Sequence, residues 1–163
     1  MAGKLSRPCC QDTGLLHFYI KMGAGFAYQG MVADCLREAT HNATYSAPLR
    51  QNTVNYFEER NTNDNTGERM PWINWDIVPD NDDLEIITYF AGGGCCLPGR
   101  SQVFKPSDGY AAIIRYVFDA VSDLGINACP PLIVGVGLGH NAENAALLSK
   151  KAYLRPLGTS HPH

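Results

Sequence analysis

Apolar positions along the chain fall into two rhythms. Leu15 to Met22 is rich in apolar and aromatic residues and predicts a strand that follows a loop. Met31, Val32, Cys35, Leu36 and Ala39 recur at helical spacing, which predicts an amphipathic helix from Tyr28 to about His41. A second helix is expected over Asn52 to Arg60. Asn61 to Gly67 (Asn-Thr-Asn-Asp-Asn-Thr-Gly) is almost purely turn-forming and predicts a loop. Ile73 to Val78 and Leu84 to Phe90 are strand candidates, joined by the turn chemistry of Pro79 to Asp83. Asp108 is a candidate cap for a helix from Gly109 to about Leu124, with Ile113, Ile114, Val117, Phe118 and Val121 on one face. Pro131 to Leu138 predicts a buried strand by its β-branched content. Asn141 to Ala152 predicts a further helix, which Arg155-Pro156 ends. Strands and helices interleave, so the expected fold class is mixed α/β (α+β) in a single domain.

Composition narrows the class. A chain of 163 residues suffices for one domain with its own core. The net charge of −3, with no basic run, argues against nucleic acid as a partner. The longest apolar stretch, Pro130 to Leu138, is about half of what a membrane-crossing helix needs. Met1 to Pro8 carries two basic residues and no apolar run, so no signal peptide is expected. The reading is a soluble cytoplasmic protein. There the cysteines Cys9, Cys10, Cys35, Cys95, Cys96 and Cys129 are metal ligands, catalytic groups or packed side chains rather than disulfides.

Several segments carry candidate chemistry. Cys10-Gln11-Asp12-Thr13-Gly14 puts a thiol, an amide and a carboxylate on one tight loop, although Asp12 and Thr13 can equally serve a plain polar turn. In Ala128-Cys129-Pro130-Pro131 two prolines fix the backbone beside a thiol at a strand entry, a place that also suits a buried structural cysteine. Ala91-Gly-Gly-Gly94 removes side chains where a group approaches the backbone, and its amides can donate to a carboxylate or phosphate, although the run equally suits a plain flexible turn. Gly135-Val-Gly-Leu-Gly139 lies in and after a strand, so it reads as close strand packing rather than a dinucleotide fingerprint. Arg50 is either a bidentate carboxylate clamp or a solvated arginine at a helix start.

Each segment alone is weak. In their order, however, Arg7-Pro-Cys-Cys-Gln-Asp-Thr-Gly14, Ala47-Pro-Leu-Arg50, Pro71-Trp-Ile-Asn-Trp-Asp76, Pro79-Asp-Asn-Asp-Asp83, Ala91-Gly-Gly-Gly-Cys95, Leu97-Pro-Gly-Arg-Ser101, Ala128-Cys-Pro-Pro131 and Leu154-Arg-Pro156 form a pattern. It resembles the family of L(+)-tartrate dehydratase alpha subunits and class I iron–sulfur fumarate hydratases, with the tartrate dehydratases nearer. The resemblance runs from about Arg7 to the end.

The resemblance implies an N-terminal catalytic domain over residues 1–163, truncated at both ends relative to the family. It implies a hydro-lyase component that eliminates water from a 2-hydroxy dicarboxylate, either L-tartrate to oxaloacetate or malate and fumarate interconversion. The implied cofactor is a [4Fe-4S] cluster held by three thiolates, with one iron open as a Lewis acid. Cys10 and Cys129 fall on two ligand positions, and no residue here matches the third. Gln11 and Asp12 fall on substrate-contacting or open-iron positions, with Asp12 as a catalytic carboxylate. Arg50 falls on a substrate carboxylate binder and Gly93 on a backbone contact. The implied partner is a beta subunit or C-terminal domain in a hetero- or homo-oligomer, with neither nucleic acid nor membrane. Two other readings are a non-catalytic assembly fragment of the same fold, and a zinc or redox protein using Cys9, Cys10, Cys95 and Cys96, whose adjacent pairs lack the usual zinc spacer.

Overall fold

A computed structural model describes residues 2–6, 10, 12–47 and 49–159. They gather into two compact units, one up to Gly93 and one from Gly94 onward. The mixed α and β class expected from the sequence is found.

The first unit begins with a short helix, α1 (Ala2–Leu5), and is organised by strand β1 (Leu15–Gly23). Helix α2 (Val32–Ser46) follows, and β2 (Val54–Asn55) and β3 (Arg60–Asn61) make a two-stranded hairpin. Strands β4 (Trp72–Val78) and β5 (Leu84–Ala91) close the unit. The main sheet has the order β4-β1-β5. β1 runs parallel to β4, with Phe18 opposite Ile73, and antiparallel to β5, with Phe18 opposite Thr88.

A central position explains why β1 is so apolar. Leu16, Phe18, Ile20 and Met22 point to one face, where Val32 and Leu36 of α2 cover them. Fully burying such side chains contributes roughly 1.5–3 kcal/mol each before chain entropy is subtracted. The buried stripe of α2 continues at the same four-residue spacing into Thr40 and Thr44. The helix thus covers the sheet with its first half and offers hydroxyls with its second.

The helix predicted over Asn52 to Arg60 is not formed; that segment holds β2, a turn and the start of β3. The Asn55 side chain accepts the Phe57 amide at 3.2 Å, a local bond that competes with a helix. Tyr56 and Phe57 are exposed, so a helix here would have had no apolar face to bury. The loop expected over 61–67 is largely present, with Asn61 paired in β3.

In the second unit, α3 (Gly93–Cys96) crosses the junction, and α4 (Gly109–Leu124) has the predicted bounds. Asp108 stands at the N-cap position of α4 as expected but makes no side-chain cap bond there; its carboxylate accepts the Lys105 amide at 2.8 Å and closes a 3-10 turn. α5 (Ala142–Tyr153) is capped by Asn141, whose side-chain oxygen accepts the Asn144 amide at 2.8 Å. The buried strand predicted over Pro131 to Leu138 is absent: the segment is irregular, and Leu132, Ile133, Val134, Val136 and Leu138 are exposed. A strand needs a neighbour for its amides, and among the described residues of this unit no strand is present. Its glycines do mediate close packing, but onto a helix. A Cβ at Gly135 would overlap the Ser149 carbonyl, and one at Gly137 the Ala145 carbonyl. Among the described residues no helix is long and apolar enough to cross a membrane.

Candidate functional site

Asp12 is the organising residue of the first unit's polar site. Gly14, at φ 71°, turns the chain from the Asp12 loop into β1. Any Cβ there would overlap the Ala91 carbonyl and the Gly92 nitrogen, so only glycine lets the loop lie on the end of β5. One Asp12 oxygen accepts the Gly14 amide at 2.9 Å and the Asn52 side-chain amide at 2.6 Å. The other accepts the Gly93 amide at 2.8 Å. A Cβ at Gly92 would stand 2.8 Å from that second oxygen, so the glycine run is what admits the carboxylate.

The Gly93 and Gly14 amides hold the Asp12 carboxyl below the usual carboxylate range. Partial burial opposes them, and the Arg50 charge and the Asn52 amide add to the lowering. Asp12 is therefore an ionised acceptor at neutral pH. Its neighbour Thr13 accepts the Arg50 amide at 2.7 Å, which ties the arginine's backbone to the same loop. Cys10 is exposed, and its sulfur accepts the Asp12 amide at 3.4 Å. Of the groups such a glycine run can serve, the one its Gly93 amide meets is the protein's own Asp12 carboxylate.

Asp12, Arg50 and Gly93 thus belong to one network in the first unit, with Cys10 on the same loop. Gln11 and Cys9 lie outside the described residues. Cys129 belongs to the second unit, where its exposed thiol lies against Gly94: a Cβ there would stand 2.5 Å from the sulfur. Cys95 and Cys96 are exposed in that unit. Among the described residues no three Cys, His, Asp or Glu side chains form a set that would hold a metal ion. Accessible thiols are donors of the kind an iron–sulfur group takes; Cys10 is one in the first unit and Cys129 one in the second.

The sequence reading missed two contributors, Asn52 and Asn65, and gave Thr13 only the part of a turn residue. Asn65 is 1% exposed, and its side chain bonds the Arg50 carbonyl and the Asn52 amide at 2.9 and 2.8 Å. Its place in a run of turn-forming residues gave a local signal for a loop and none for a buried hub.

Known proteins place the sequence in a family. The whole span, residues 1–163, matches the model of the fumarate hydratase (Fumerase) family. The L(+)-tartrate dehydratase subunit alpha of Escherichia coli strain K12 is 53% identical over 159 residues, covering 98% of this chain and 52% of the relative. The putative L(+)-tartrate dehydratase subunit alpha of Methanocaldococcus jannaschii is 34% identical over 157 residues, covering 94% of this chain and 55% of the relative. This chain belongs to the fumarate hydratase (Fumerase) family. It spans about half the length of the curated relatives it matches.

Proposed function

We propose that residues 1–163 are the N-terminal catalytic part of a hydro-lyase that removes water from a 2-hydroxy dicarboxylate. L-Tartrate is the substrate that the names of both relatives support, giving oxaloacetate after the enol product rearranges. Malate and fumarate interconversion is the second reading, supported by the family's name. The observation that carries the proposal is the gathering of Asp12, Arg50 and Gly93 by hydrogen bonds and charge on the loop that bears Cys10.

Each residue has a part. Arg50 binds a substrate carboxylate with its planar fork. Gln11 and the Gly93 backbone orient the substrate. Asp12 is the catalytic carboxylate: ionised and fixed by three donors, it sets the local field and the position of the glycine backbone. Cys10 and Cys129 would hold a [4Fe-4S] cluster. Bound there, the cluster supplies Lewis-acid polarisation of the departing hydroxyl. The relatives' greater length leaves room for a third thiolate and for the base that takes the adjacent proton. A beta subunit or C-terminal domain is the partner, the assembly is a hetero- or homo-oligomer, and the compartment is the cytoplasm.

The test is anaerobic reconstitution with iron and sulfide, with metal analysis, followed by L-tartrate, malate and fumarate offered with and without a beta subunit. The expected result is some labile iron and no turnover by the chain alone, with L-tartrate turnover when the partner is added. Failure to take up iron in either setting would overturn the cluster. Turnover by the chain alone would overturn the divided active site.

A further inference from the structure

We propose that Asn65 is the positioning residue of this site: its buried side chain clamps Arg50 to Thr53 so that Arg50 and Asn52 reach the Asp12 loop. The inference deepens the functional reading above and rests on it for the role of Arg50. The clamp itself stands on the geometry.

Four bonds make it. The Asn65 oxygen accepts the Asn52 amide at 2.8 Å and the Thr53 amide at 3.4 Å. Its nitrogen donates to the Arg50 carbonyl at 2.9 Å and to the Thr44 hydroxyl at 3.2 Å. Thr44 sits on α2 and bonds back to the helix at Thr40 and onward to the Asp64 carbonyl, at 2.8 and 3.0 Å. One amide therefore spans the rigid helix on one side and the extended 50–53 segment on the other. That segment delivers two bonds to the next loop, the Arg50 amide to Thr13 and the Asn52 side chain to Asp12. Asp12 then takes the Gly93 amide.

The residue type follows from these demands. Position 65 has φ 60°, which asparagine tolerates far better than most residues. The site also needs a donor and an acceptor on one short planar group, and only an amide offers both without charge. Such a fully satisfied buried polar group fixes geometry where an apolar contact would leave the segment free to slide.

The experiment compares amide hydrogen exchange in the full chain and in Asn65→Gly, which keeps the left-handed backbone without strain while removing the clamp. Exchange is expected to speed up about tenfold or more at Asn52 and Thr53, which bond Asn65 directly. It should also speed up at the Arg50 and Gly93 amides, which do not themselves bond Asn65 and feel it only through the relay, while the amides of β1 stay protected. Asn65→Asp is the second variant: it keeps the acceptor and loses the donor, so the Asn52 amide should stay protected and the Arg50 amide should not. Thr40→Val, which removes a buried hydroxyl on the same helix, controls for loss of stability alone. Unchanged exchange at Arg50 and Gly93 in Asn65→Gly, or a uniform rise that Thr40→Val reproduces, would overturn the clamp. In the enzyme loaded with iron and sulfide and joined to its partner, Asn65→Gly should raise the KM for L-tartrate about tenfold with a smaller effect on kcat. A wild-type enzyme without L-tartrate affinity would sink the functional reading and leave the exchange result to decide the clamp.

Discussion

Replacing Asp12 with asparagine tests how the site is built. The substitution keeps shape and size but replaces one acceptor oxygen by an NH2 group and removes the charge. In the native site both oxygens are used, one by Gly14 and Asn52 and the other by Gly93. The amide oxygen of Asn can serve Gly14 and Asn52 together. Its nitrogen then faces the Gly93 amide, a donor against a donor. The loss is one hydrogen bond to a charged group, about 1.5–3 kcal/mol, and the weakening of two more. Asp12 is half-buried, so water recovers part of this, and the net cost is about 1–3 kcal/mol. For a unit of this size that lowers the midpoint of thermal unfolding by at least about 4 °C.

The assay is convenient because the chain's two tryptophans, Trp72 and Trp75, both lie on β4 of the same unit. Urea unfolding followed by their fluorescence reports the first unit directly. An Asp12→Asn protein with the wild-type midpoint, together with an unchanged exchange rate at the Gly93 amide, would refute the claim that the carboxylate holds the glycine run.

Other outcomes follow from single features. Arg50→Lys keeps the charge and loses the planar fork, so L-tartrate binding in the complemented enzyme should weaken by about 1.5–3 kcal/mol with the unfolding midpoint unchanged; unaltered kinetics would count against Arg50 as the clamp. The Tyr116 hydroxyl is buried with no partner among the described residues, and burial pushes its pKa up with Arg100 opposing. Tyr116→Phe should therefore stabilise the second unit by about 1 kcal/mol in urea unfolding, and a destabilised variant would show that the hydroxyl is satisfied. Asp64 feels desolvation, which raises its pKa, but the Thr66 amide and hydroxyl, His41 and Thr62 outweigh it and the net shift is downward. A depressed folded value adds stability above the unfolded value near 3.8 and loses it as pH falls through the folded value. Acid unfolding should thus be shallower in Asp64→Asn than in the wild type, and equal slopes would remove Asp64 from the acid response.

How much of the fold was legible depended on where each element's stabilisation lies. β1, β4 and β5 and the helices α4 and α5 carry their apolar pattern within themselves, and their bounds were read within a few residues. The 52–60 segment failed because Asn55 satisfies the Phe57 amide locally and no apolar face rewards a helix. Pro131 to Leu138 failed for the opposite reason. Its side chains suit a strand, but strand formation is a property of a pair, and among the described residues of its unit none offers an edge.

The site divides along the same line. Cys10, Gln11, Asp12, Arg50, Gly93 and Cys129 came from resemblance to a family, because a short loop of polar residues is chemically ambiguous by itself. Asn52 and Asn65 were invisible, and Thr13 showed only a turn's role, because the bonds of Thr13, Asn52 and Asn65 span 37, 40 and 12 to 21 residues. No local pattern encodes partners so distant. What the sequence does show is a supply of short amides and hydroxyls, in Asn61 to Thr66 and at Thr40 and Thr44, in excess of what turns and a helix need. The buried asparagine drawn from that supply holds the arginine segment to the helix. The loop's side chains therefore support the site even though its backbone only turns.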